Sequence, residues 1–190
     1  MLEEFIRLNK FDMAYLPILQ KKLCFEGECA GNEILNYGIL LTLATIISTY
    51  GVIAGSAATV IGAMIIAPLM TPIMAATLAI VLGDTERAGR SMMIVTISTI
   101  YVILLAALLT CSISPLSIDF QENQEIFSRT APDMFALYVA LAAGAAGAFV
   151  VSRESVSDSL PGVAIAISLV PPLSVVGISL SKLHWGDATG

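Results

Sequence analysis

Polar and apolar residues are segregated along this chain rather than interleaved. No Asp, Glu, Lys or Arg occurs from Ile34 to Gly83, from Ser91 to Ile118, from Met134 to Ser152, or from Ser159 to Ser181. An apolar helix needs about 20 residues to cross a hydrocarbon core of about 30 Å. The pattern therefore predicts five spans: Ile34–Ile53, Thr59–Leu82, Ser91–Thr110, Met134–Val151 and Leu160–Leu180. Ahead of them, residues 1–23 read as an amphipathic helix, with Leu2, Phe5, Ile6 and Leu16 apolar and Glu3, Arg7 and Lys10 charged. Such a helix lies in the membrane interface or packs on the protein, and both readings stand. Residues 24–33 are polar and read as a loop. The expected fold class is an all-α polytopic membrane bundle. Its parts are an N-terminal helix and loop (1–33), a three-span unit (34–111), an acidic loop (112–133) and a two-span unit (134–190).

The two span units correspond at an offset of one hundred residues. Ile34 falls on Met134, and Gly62, Ile65, Leu69 and Pro72 fall on Gly162, Ile165, Leu169 and Pro172. Three spans per unit is an odd number, so the copies would be inverted, a recurrent design of secondary transporters. On this scheme the third span has no partner before Gly190, and a sixth helix is expected beyond it.

The second and fifth spans each carry two prolines near the middle: Pro68 and Pro72, then Pro171 and Pro172. Proline lacks an N–H and clashes with the carbonyl four residues earlier. Backbone carbonyls released this way must face protein or a wet cavity. The residues expected to line a route for a small solute or ion are Gly62, Pro68, Thr71, Pro72, Gly162, Ser168, Pro171 and Pro172. Thr77 and Ser174 lie close enough in sequence to add hydroxyls, and Gly62 and Gly162 are expected to admit close backbone approach. Kinks that serve packing alone account for the same prolines. In the fourth span Ala136, Ala140, Gly144 and Ala148 recur every fourth residue, and Ala143 pairs with Gly147. This small-residue face permits close helix packing, within one chain or between subunits.

Composition sharpens the class. Hydrophobic residues make up 57% of the chain and charged residues 13%, with a mean hydropathy of +0.88, so a water-soluble surface cannot be assembled from the remainder. The net charge of −6 comes from the segments between spans, and no basic cluster points to nucleic acid. One histidine, His184, and the spaced Cys24, Cys29 and Cys111 do not form a metal-ligand pattern, and no cofactor is expected. No nucleotide-binding loop, metalloprotease motif or serine-hydrolase elbow is present, and no catalytic residue or enzyme activity is expected. Asp84, Asp133 and Glu154 stand only at span ends, with Arg87 and Arg90 near enough to pair with Asp84 and Glu86. With the N-terminus in the cytoplasm, seven of the nine Lys and Arg residues fall on the inner side, which sets the expected orientation in a prokaryote-type plasma membrane.

The run Val60-Ile61-Gly62-Ala63-Met64-Ile65-Ile66-Ala67-Pro68-Leu69-Met70-Thr71-Pro72-Ile73, closed by Gly83-Asp84, carries a resemblance. So do Arg129-Thr130-Ala131-Pro132, the Ala140–Ala148 run, and Leu160–Ala166 leading to Val170-Pro171-Pro172-Leu173. These blocks, in this order over roughly residues 34–190, resemble the "uncharacterised hydrophobic domain" membrane proteins of bacteria and archaea, domain of unknown function 389. The resemblance implies an integral membrane protein with a further hydrophobic segment and without an agreed substrate. Members often carry an acid where this chain has Ala136, so no mechanism is built on that carboxylate. Two functions are expected to compete. One is a channel or transporter whose route runs along the broken helices 59–82 and 160–180. The other is a non-transporting structural or assembly subunit of a larger membrane complex, which the small-residue face and the amphipathic N-terminus suit equally well; the expected partners are the lipid bilayer and, as homo-oligomer or complex subunit, other membrane chains.

Overall fold

The computed structural model describes residues 30–112, 125–126, 134–151 and 169–186. Regular structure among them is entirely helical: α1 (Ala30–Ile53), α2 (Ala57–Ile66), α3 (Met70–Leu82), α4 (Thr85–Ser112), α5 (Met134–Val151) and α6 (Val170–Gly186). The all-α class expected from the charge pattern is what the chain adopts. The amphipathic segment 1–23 and the acidic loop between α4 and α5, apart from Glu125 and Ile126, lie outside the described residues.

Element limits differ from expectation where charge was taken to end a helix. Residues 30–33 belong to α1 rather than to a loop, and Glu33 stands in its first turn. An acid there faces the positive end of the helix dipole and is compatible with helix. Likewise α4 begins at Thr85, not Ser91, and carries Glu86, Arg87 and Arg90 in its opening turns. Asp84 caps it: the Arg87 N–H donates to Asp84 Oδ1 at 3.0 Å, and Arg87 Nε lies 3.5 Å from Oδ2. The preceding helix is closed by Gly83 at φ 73°. There the Gly83 N–H donates to the Ile80 carbonyl at 3.1 Å and the Asp84 N–H to Ala79 at 2.9 Å. An L-residue at Gly83 would be strained, so Gly83-Asp84 is a stop and a start in two residues.

The second expected span is two helices. α2 and α3 are bent by 51° where Ala67, Pro68 and Leu69 leave the helix. α4 packs most extensively on α6 and α3, while α1 packs on α2, α6 and α4. α5 makes no comparable contact among the described residues.

Residue size, more than hydrophobicity, decides which way a side chain faces. On α4 the buried row is Ser91, Ser98, Val102, Ala106 and Thr110. The outer row holds Met93, Ile97, Ile100, Leu104 and Leu108, with Leu104 and Leu108 each 64% exposed. In water such a surface would be an aggregation site. In lipid it is the expected arrangement, because tails solvate Leu and Ile as well as a core does, and small residues let helices approach. α1 and α4 are each long and apolar enough to cross a membrane, and the α2–α3 pair makes a third such element if counted as one bent span. These are the features of a membrane-embedded protein.

Candidate functional site

Two buried apolar clusters divide the bundle. The first joins Leu41 of α1, Leu69 at the break, Val102 of α4 and Val170 of α6, with Ala67 and Leu173 packed against it. The second joins Val52 of α1, Val60 and Met64 of α2, Ile126, and Val175 and Ile178 of α6. The α2–α3 break and the proline-marked start of α6 therefore meet in one buried layer, as their shared sequence pattern led one to ask. α3 begins at Met70 and α6 at Val170, one hundred residues apart.

Each expected route residue has a definite place or lies outside the described residues. Pro68 is half-buried in the turn. It offers no N–H to the Met64 carbonyl, the one backbone acceptor among the described residues whose helical partner is removed by proline; Ile167 and Ser168, four residues before Pro171 and Pro172, lie outside them. Its own carbonyl is not released, because it accepts the Thr71 N–H at 3.2 Å. Pro72 is fully buried but occupies the first turn of α3, where its missing N–H breaks no helical bond. Pro171 and Pro172 likewise fall in the first turn of α6, Pro171 fully buried and Pro172 half-buried. Thr71 is half-buried. A Cβ at Gly62 would meet nothing within 4 Å, so no neighbouring backbone presses on it. Thr77 is exposed and donates to the Ile73 carbonyl at 2.9 Å, away from the break. Gly162 and Ser168 lie outside the described residues.

The small-residue face of α5 divides. Ala140, Gly144 and Ala148 are exposed, whereas Ala143 and Gly147 are buried together with Val150; of the Ala136 side chain nothing is described. Close approach occurs instead at Gly177 of α6. A Cβ there would stand 2.5 Å from the Ile103 carbonyl oxygen and 2.7 Å from the Ala106 Cβ of α4.

Between the two apolar clusters lies a layer of hydroxyls. Thr45, Ser48 and Thr49 of α1 and Ser174 of α6 are all 0% exposed. Thr45 donates to the Leu41 carbonyl at 2.7 Å, Thr49 to Thr45 at 2.7 Å, and Ser174 to Val170 at 3.0 Å. Each such hydroxyl spends its proton on its own helix and keeps oxygen lone pairs that could still accept. Ser48 differs: its Oγ is buried without a hydrogen-bond partner. Ser174 was expected near the break, whereas the α1 hydroxyls were not. Their signal was present in the sequence as Leu41, Ala44, Thr45, Ser48, Thr49 and Val52, one helical stripe interrupted by polar residues.

A lateral groove of about 580 Å³ opens between α1 and α4, walled by Ile34, Ile39, Ile94 and Ile97. Two hydroxyl pairs bridge its helices, Tyr37 Oη with Ser98 Oγ at 2.8 Å and Thr42 Oγ1 with Tyr101 Oη at 2.9 Å. These pairs tie α1 to α4. Among the described residues no group of His, Cys, Asp and Glu has the arrangement of a metal site.

Comparison with known proteins bears on what kind of molecule this is. The chain is 36% identical over 140 residues to the "Uncharacterized protein MJ0678" of Methanocaldococcus jannaschii, an alignment covering 74% of this chain and 42% of the relative. The chain thus spans less than half the length of that curated relative. No solved structure matches it. A family profile described as "Domain of unknown function (DUF389)" matches residues 64–190, which take in the helix break, α3 to α6 and the Gly83-Asp84 turn. On that match, which spans most of the chain, the protein belongs to the DUF389 family.

Proposed function

We propose that the protein is a multi-pass channel or transporter for a small solute or ion, with its route passing the α2–α3 break and the start of α6. The observation that carries this reading is the interior helix break. Residues 67–69 are the only non-helical backbone between Ala57 and Leu82, they bend the pair by 51°, and Ala67 and Leu69 pack against the buried cluster of the bundle. Irregular backbone at membrane depth is tolerated where protein covers it or water reaches it. Paired broken helices at the repeat interface are the usual frame of a transporter site. The one-hundred-residue spacing of Met70 and Val170 supports an inverted repeat, and the Lys and Arg distribution supports a cytoplasmic N-terminus in a prokaryotic plasma membrane. No catalytic chemistry is part of the reading.

Pro68, rather than Pro72 or Pro172, is the residue to vary, because only Pro68 stands at the break. Pro68→Ala restores an N–H within reach of the Met64 carbonyl and favours extension of α2 beyond Ile66 into the break, while Pro72 keeps its place at the start of α3. Purified protein in liposomes is expected to pass at least one member of a panel of inorganic ions and small metabolites, and folded Pro68→Ala to pass it at least tenfold more slowly. Absence of flux across the panel by folded protein removes the reading. The second reading, a non-transporting subunit, is favoured by one observation: the exposed row Ala140, Gly144 and Ala148 on α5 lacks a packing partner among the described helices. In that case the partner is a second copy or another membrane subunit.

A further inference from the structure

Ser48 sets the problem. It sits in the C-terminal third of a transmembrane-length helix, is 0% exposed, and its hydroxyl makes no hydrogen bond. A serine at such a position ordinarily turns its proton back to the carbonyl four residues earlier, as Thr45, Thr49 and Ser174 do. A buried hydroxyl left unmade is costly, and an ion or a water held beside it is what would offset that cost. The company it keeps narrows that partner. Thr45 and Thr49 flank it on α1, and Ser174 stands on α6 between the same two apolar clusters. All three have donated their protons, so what they can still offer is oxygen lone pairs. No carboxylate lies anywhere in Ile34–Gly83 or Ser159–Ser181, so the set is neutral.

Neutral oxygens that present lone pairs bind cations, and the absence of carboxylates decides which. Divalent ions of the calcium and magnesium type are held by acidic side chains. Monovalent ions are held by uncharged oxygens that replace their hydration shell, as in carbonyl-lined filters. We propose that Ser48, with Thr45 and Thr49 of α1 and Ser174 of α6, forms a neutral oxygen site for a monovalent alkali cation that has shed part of its water. The proposal deepens the passage reading and rests on it for the way the ion arrives. The α2–α3 break, in the adjoining apolar layer, lies next to the site rather than in it.

The test uses the full chain in lipid nanodiscs. Thermal unfolding is followed in NaCl, KCl and N-methylglucamine chloride at one ionic strength, so that screening is constant and only cation size and chemistry change. One of the two alkali salts is expected to raise the Tm by several degrees over N-methylglucamine, in proportion to the logarithm of its concentration above the Kd. Ser48→Ala is expected to fold, because it removes an unpaired group, and to abolish that difference. Thr49→Val, of nearly the same shape, is expected to weaken it about tenfold in apparent Kd. Identical Tm values in all three salts overturn the site and leave a trapped water as the partner of Ser48. An alkali effect that survives Ser48→Ala overturns it as well. Flux measured on the same preparation separates the two ideas. Alkali-dependent stabilisation without flux keeps the site and removes the passage reading, whereas flux without alkali-dependent stabilisation removes the site and keeps the passage reading.

Discussion

α4 and α5 are both apolar helices, yet the bundle uses them in opposite ways. α4 has two distinct faces. Serine, alanine and threonine point into the protein, and methionine, isoleucine and leucine point out. α5 is richer in alanine and glycine than α4, and all but Ala143, Gly147 and Val150 of its described side chains are exposed or nearly so. In water the more apolar helix would be the more deeply buried. Here burial follows size and shape, because lipid removes most of the hydrophobic reward for hiding Leu104 and leaves close packing and hydroxyl bonds to hold helices together. α4 obtains that packing from α6 through Gly177 and from α1 through the Tyr37–Ser98 and Thr42–Tyr101 bonds. α5 has the small residues for such packing, but most of them face no neighbour among the described helices.

The sharpest way to break this contrast is Gly177→Ala. The new methyl would meet the Ile103 carbonyl oxygen at 2.5 Å, and a carbonyl in a helix cannot rotate aside as a flexible side chain can. Overpacking of this kind costs about 1–3 kcal/mol. Thermal unfolding in detergent or nanodiscs should show the corresponding fall in Tm. An unchanged Tm would mean that α6 and α4 slide apart freely and that close packing does not hold the bundle.

The second effect is smaller. Tyr37→Phe removes the hydroxyl bond to Ser98 while keeping the ring in the groove wall, at an expected cost of about 0.5–1.5 kcal/mol. The hydroxyl pair also crosses from α1 to α4, so a cysteine pair placed at exposed neighbouring positions should cross-link faster in the variant than in the parent. Equal cross-linking and equal Tm would assign the α1–α4 contact to the apolar groove walls alone.

Much of the architecture was legible in the charge pattern, for a physical reason. Charges are excluded from hydrocarbon, so long charge-free stretches mark the helices, and α5 occupies Met134–Val151 as expected. What the charges did not mark was helix ends: Glu33, Glu86 and Arg87 were assigned to loops, although acids at a helix start are stabilised by the dipole and by capping. The break was legible from Pro68, but not the difference between Pro68 and Pro72 four residues later. That difference depends on where the new helix begins, since a proline in a first turn interrupts nothing. The close contact at Gly177 was not legible, and the polar stripe on α1 did not say which helix it would meet, because both depend on which face meets which helix. A helix that is apolar all round carries almost no directional signal for that choice.

The smallest effect is the most informative about α5. Gly144 is exposed, and a Cβ there would meet nothing within 4 Å. Replacing glycine by alanine in a helix without a steric neighbour stabilises by about 0.4–1 kcal/mol, chiefly by narrowing the unfolded chain's freedom. Gly144→Ala should therefore raise the Tm slightly or leave it unchanged, the opposite sign from Gly177→Ala although both change one hydrogen to one methyl. The measurement is made at several protein-to-lipid ratios. A small gain at every ratio means that the face meets lipid and that α5 differs from α4 in having no protein partner there. A loss that appears only at high protein density means that a second copy approaches the Ala140, Gly144 and Ala148 row closely enough to feel one methyl. The two helices would then obey one rule, close packing through small residues, with α4 satisfying it inside the chain and α5 between chains.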